Sequence, residues 1–147
     1  MNTKMKNIKR TINLLKKIIR DENCSHMNLS TIKGYLGELI IKAKLETECC
    51  MVAQKGNQSG YDLEFDKIKI DVKTSTLKEE TPGKSGWGWA LKQKSKRRRL
   101  SCTHFLCVAL DEKYNENAFY IIKKEDIWKF PAKSKRFRNV EYRFGVY

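Results

Sequence analysis

Two aspartates and a lysine stand out for their type and spacing: Asp62, Asp71 and Lys73. Around them Leu63 and Phe65 alternate with polar neighbours, as do Ile68, Ile70 and Val72, so Tyr61 to Lys73 predicts two half-buried strands. Asp66-Lys67 supplies the turn, without the glycine that the tightest such turns carry. Folding the stretch there sets the register by counting. Phe65 faces Ile68, Leu63 faces Ile70, Glu64 faces Lys69, and Asp62 faces Asp71. Directly opposed side chains have Cβ atoms about 4.5–5.5 Å apart, where like charges repel. A hairpin whose other pairs all match, but which sets two aspartates together, calls for a cation between them. Mg2+, with Mn2+ as its substitute, prefers oxygen ligands and suits such a pair. Lys73 projects from the same face as Asp71, one pleat or about 6–7 Å further along. Its ammonium can hold a water, favour its deprotonation and offset charge on a phosphate under attack. The same residues also suit a solvated hairpin face on which Lys73 merely neutralises Asp71, and spacing does not choose between the two.

The elements that must position these groups can be read outward from the hairpin. Ile8, Ile12, Leu15, Ile18 and Ile19 recur at helical spacing and predict an amphipathic helix over residues 4–20. Packing of that helix on the core, with its basic face in solvent, is the reading preferred over a surface-binding helix. After a polar connection over 21–29, Ser30 or Thr31 caps a second helix. Its apolar stripe is Ile32, Tyr35, Leu36, Leu39, Ile40 and Ala43, with Glu38 at the margin. Gly34 and Gly37 weaken that helix but let another backbone come close. A short buried strand is expected over Cys49 to Ala53, and a turn-rich loop over Lys55 to Gly60. Lys78 to Leu100, with Pro82, Gly83, Gly86 and Gly88, reads as an exposed loop leading into a helix. Thr103–Leu110 and Ala118–Ile122 predict a second strand pair, Glu125–Phe130 a short helix stopped by Pro131, and residues 131–147 a basic tail.

With those elements in order, Gly60-Tyr61-Asp62 followed by Asp71-Val72-Lys73 resembles the PD-(D/E)xK nuclease pattern. The helix carrying Gly37-Glu38-Leu39-Ile40 looks like that superfamily's first core helix, which often contributes a further acidic ligand. Tyr61 stands where the pattern has proline, and Asp71 where glutamate is also common. The resemblance spans residues 30–125. It implies a catalytic set of Glu38, Asp62, Asp71 and Lys73, with the three carboxylates holding Mg2+. It also implies an α/β fold, a mixed central sheet flanked by helices in a restriction-endonuclease-like arrangement, over a single nuclease domain of residues 1–147. The expected activity is metal-dependent DNA endonuclease, restriction- or homing-like. A Holliday-junction resolvase is the nearest alternative, and a non-catalytic nucleic-acid-binding module is the alternative from another class.

Composition points to the same partner. Lys plus Arg number 31 against 17 Asp plus Glu, a formal charge of +14 that fits a polyanion. From Thr81 to Leu110 there is no acidic residue. Lys84, Lys92, Lys94, Lys96, Arg97, Arg98 and Arg99 gather there beside Trp87 and Trp89, and a second tract holds Lys135, Arg136 and Arg138. These are the candidate contacts to duplex or branched DNA, giving salt-sensitive affinity without reading sequence. Cutting two strands with one site per subunit suggests a homodimer or higher symmetric assembly. No apolar run approaches the roughly 20 residues that span a bilayer, so no membrane association is expected. Five cysteines, two of them adjacent, do not make a secreted disulfide framework, and the expected compartment is cytoplasmic. Cys102 and Cys107 beside His104 lie in an apolar run and read as core residues in preference to zinc ligands. His26 and His104 lack a spaced carboxylate partner and read as structural, while Thr74 and Ser75 either contact phosphate or simply continue the strand.

Overall fold

Apolar residues at helical spacing make α1 (Thr3–Arg20) and α2 (Leu29–Thr47), and the two helices pack against each other. Ile8, Ile12 and Ile19 of α1 are buried in one cluster with Leu36, Leu39, Ile40 and Ile41 of α2, so α1 is a packed helix with a basic outer face. Tyr35, counted with the apolar stripe, is 42% exposed, and Ile41 takes its place inward. The computed structural model describes residues 3–20, 29–47, 53–54, 61–65, 67–92, 101–136 and 139–147. The expected strand over Cys49 to Ala53 falls mostly outside them.

The strands that follow are β1 (Ala53–Gln54), β2 (Leu63–Phe65), β3 (Ile68–Thr76), β4 (Lys78–Thr81), β5 (Lys84–Lys92), β6 (His104–Leu110) and β7 (Glu116–Lys123). A 3-10 helix, Lys124–Lys129, occupies the place of the predicted short helix before Pro131. The chain then adds β8 (Ala132–Arg136) and β9 (Asn139–Val146). The central sheet runs β1-β2-β3-β6-β7, mixed because β3 and β6 are parallel while every other pair is antiparallel. Alternation along its strands gives it two apolar faces. Leu63, Ile70, Val72, Leu106, Val108 and Leu110 meet α1 and α2 on one side. Phe105, Cys107, Ala109 and Ile122 face the other way.

That second face is covered by a second sheet, β4-β5-β9-β8, and here the structure departs from the sequence reading twice. Lys78 to Lys92 is a β-hairpin, not a loop leading into a helix. Its turn is Pro82-Gly83, with Gly83 at φ +81°, the left-handed geometry that favours glycine after proline in a type II turn. Residues 131–147 are likewise no tail, because β9 pairs along β5 from Trp87–Val146 to Lys92–Glu141. The crossover that parallel strands require is thus built from a hairpin among the described residues. Trp89 and Leu91 of β5 are 3% and 0% exposed and lie in the layer between the sheets. No helix among the described residues is long and apolar enough to cross a membrane.

Candidate active site

The β2–β3 hairpin has the counted register: Phe65 pairs with Ile68, Glu64 with Lys69 and Leu63 with Ile70. Asp62 continues that line past the end of β2, its N–H donating to the Ile70 carbonyl at 2.8 Å. Its Oδ2 accepts the Val72 N–H at 2.7 Å, which turns the carboxyl across the strand toward Asp71. Burial first, then the charge and hydrogen bond of Asp71, then the charge of Glu38, push the Asp62 carboxyl up to about 8; the Val72 N–H pulls the other way. The two aspartates therefore converge, and Glu38 on α2 lies within electrostatic reach of them.

Asp71 is 9% exposed, and its Oδ2 is buried without a hydrogen bond. Lys73 Nζ stands 3.2 Å from that oxygen, close enough for an ion pair but without hydrogen-bond alignment. Buried carboxylate oxygens are rarely left so, and one that is marks a place where a further partner is accommodated. The donor set here is two carboxylates with a third nearby, all hard oxygen, which matches Mg2+ or Mn2+. Among the described residues no three or more His, Cys, Asp or Glu side chains gather closely enough to hold an ion by themselves, so the structure brings together a pair, with Glu38 further out.

The position of α2 over this pair depends on Gly37. A Cβ there would collide with Thr74 Oγ1, so the glycine is what lets the helix sit directly on β3. Gly34 has no neighbour of that kind. Thr74 faces the helix, its hydroxyl buried without a partner, and Ser75 is 6% exposed. Ser75 Oγ accepts the Gly88 N–H at 3.3 Å and ties β3 to the second sheet. Both threonine and serine are thus strand residues that pack. Gly37 inside an otherwise apolar helix was the sequence signal for this contact.

Surrounding groups frame the pair without joining it. Tyr61 donates its hydroxyl to Glu64 Oε2 at 2.8 Å, with Lys69 over its ring. Cys102 and Cys107 are free buried thiols raised to about 11 and about 12, mainly by desolvation, so they are inert core residues. His104 Nδ1 lies 2.8 Å from Thr103 Oγ1, a local structural contact.

The candidate DNA contacts divide three ways. Trp89 is corrected: it is buried, stacks on Phe144 at 5.4 Å, and donates its indole N–H to the Val108 carbonyl at 3.2 Å. Trp87 is half-buried and anchored likewise, to the Leu110 carbonyl at 2.8 Å. These indole bonds fasten the second sheet to the first. Lys84 and Lys92 are exposed, the latter 3.5 Å from Glu141. Lys135 and Arg136 lie on β8, whose side chains are outside the description, while Lys94, Lys96, Arg97, Arg98, Arg99, Arg138 and His26 lie outside the described residues.

No family model matches the chain, and no curated protein matches its sequence. Among solved structures the fold is similar to that of a bacterial homing endonuclease, I-Ssp6803I, with a TM-score of 0.51 over 80% of this chain and 77% of that one, at 18% identity. At that identity the likeness is one of fold. The chain therefore has a mixed α/β architecture shared with an endonuclease.

Proposed function

We propose that this chain is a divalent-metal-dependent DNA endonuclease of the PD-(D/E)xK type, restriction- or homing-like, with Asp62, Asp71, Glu38 and Lys73 as its active site. The observation that carries the reading is the convergence of two carboxylates beside a lysine, with one buried oxygen lacking a hydrogen bond. Asp62 and Asp71 would hold Mg2+ or Mn2+, with Glu38 assisting. When bound, the ion would polarise the phosphate and lower the pKa of an attacking water. The chain's own residues supply the rest. Val72 N–H and the β2–β3 ladder fix the Asp62 carboxyl in place. Lys73 is 40% exposed along its side chain, so its ammonium reaches solvent as well as Asp71, and can orient a water or offset charge on a phosphate. The fold shared with a homing endonuclease and the +14 charge favour DNA as the substrate.

The test is cleavage of supercoiled plasmid and of four-way junctions with Mg2+ or Mn2+, comparing wild type with Asp71→Ala and Lys73→Ala. Cutting by the wild type, reduced about 10²–10³-fold in each variant, is expected. Preference for the junction would make the enzyme a resolvase. Binding without cutting, unchanged in both variants, would overturn the nuclease reading in favour of a binding module.

A further inference from the structure

Sheets protect their outermost strands from pairing with other chains by keeping them short, charged or interrupted by proline. Among the described residues, two of the edge strands carry such devices. β4 is Lys78-Glu79-Glu80-Thr81, fully exposed and mostly charged. β8 is five residues, follows Pro131 and contains Lys133, Lys135 and Arg136.

The edge strand β7 has none of them along its middle. It is eight residues long, about 27 Å of backbone, and runs Ala118-Phe119-Tyr120-Ile121-Ile122 without a charge or a proline. No strand among the described residues pairs with its outer side. Ile121 is 70% exposed, the most exposed large apolar side chain among the described residues, and Trp128 on the adjoining 3-10 helix is 61% exposed. The strand's charges sit only at its ends, Glu116 at the start and Lys123 at the finish, both exposed. Asp126 just beyond is occupied by Lys129 at 3.4 Å.

We infer that β7 is the contact between two copies of this chain, paired antiparallel about a twofold axis into one continuous ten-stranded sheet. A second copy is the occupant that the charges select. Antiparallel self-pairing brings the acidic start of each strand to the basic finish of the other and leaves the uncharged middles facing. It is an isologous contact that closes at two subunits. The inference does not rest on the nuclease reading. If both hold, the two β3 strands lie five strand spacings apart, about 24 Å, on a single rigid sheet.

The full chain is weighed in solution by light scattering at tens of micromolar, beside Ile121→Lys and, as a control, Leu14→Lys, which changes another exposed apolar residue on α1 (57%). The wild type and Leu14→Lys run at twice the chain mass, whereas Ile121→Lys, with an unchanged circular dichroism spectrum, dissociates at least about tenfold more readily. In the wild type alone, β7 amide exchange slows as concentration rises, a reading that does not depend on any variant folding. A wild type at the chain mass overturns the inference. So does an Ile121→Lys dimer, or equal dissociation by both variants, which would mean unspecific adhesion.

Discussion

Asp71 and Ser75 lie four residues apart on one face of β3, both almost fully buried, and yet they are opposites. Ser75 is where the second sheet grips the first, with a backbone donor from Gly88 at 3.3 Å. Asp71 sits against another carboxyl, and its buried Oδ2 accepts no hydrogen bond. A buried hydroxyl with a partner is ordinary structure. A buried carboxylate left half-satisfied beside a second carboxyl costs stability, and a fold keeps it only where something else requires it. The contrast separates the part of the strand that holds the molecule together from the part that is free to do chemistry.

The largest expected effect is Asp71→Ala, which lowers metal-dependent cleavage at least about 10²-fold and leaves the urea midpoint unchanged or raised, because it relieves the repulsion of Asp62. A large loss of stability instead would make Asp71 structural. Next, Gly37→Ala drives a methyl into Thr74 and costs about 1–3 kcal/mol of overpacking in urea unfolding. Thr74→Ala in the same chain restores part of both stability and cleavage, whereas no recovery would mean that this contact does not set α2 on β3. Ser75→Ala costs about 1 kcal/mol with cleavage retained. A cleavage loss equal to that of Asp71→Ala would erase the division between the two ends of the strand.

The smallest effect is a pH slope. A carboxyl raised from 3.8 to about 8 on folding holds its proton more tightly in the native state. Its contribution is fully present below the unfolded value and is lost as pH rises through the folded one. Without metal the melting temperature therefore declines from pH 4 toward pH 8, and Asp62→Asn flattens that part of the profile. Identical profiles in the two proteins would remove Asp62 from the buried pair.

The first hairpin was legible because two simple periodicities met there. Strand alternation set the expected face of Leu63, Ile68 and Ile70, and counting gave the register that the strands have, Phe65 with Ile68, Glu64 with Lys69 and Leu63 with Ile70. The second hairpin carried the same signal in Trp87, Trp89 and Leu91, with Pro82-Gly83 as its turn. Gly86 and Gly88 and the flanking Lys84 and Lys92 masked it, since glycine and lysine are both poor in strands when judged locally. Their reason is tertiary. Side chains at Gly86 and Gly145 would collide with Tyr147, which lies across β5 and β9. Tryptophans beside a basic run read as ligand contacts until the partner carbonyls of Val108 and Leu110, some twenty residues away, are in place.

The amphipathic helices, the β2–β3 hairpin and the meeting of Asp62 with Asp71 were legible from the order of residues, because each follows from spacing within a short stretch. Packing between distant segments settles that the Lys78–Lys92 hairpin folds over the central sheet, that Glu38 comes within electrostatic reach of Asp62, and that β7 is an open edge among the described residues. Those outcomes depend on which faces are buried against one another, and burial is a property of surfaces brought together from distant parts of the chain.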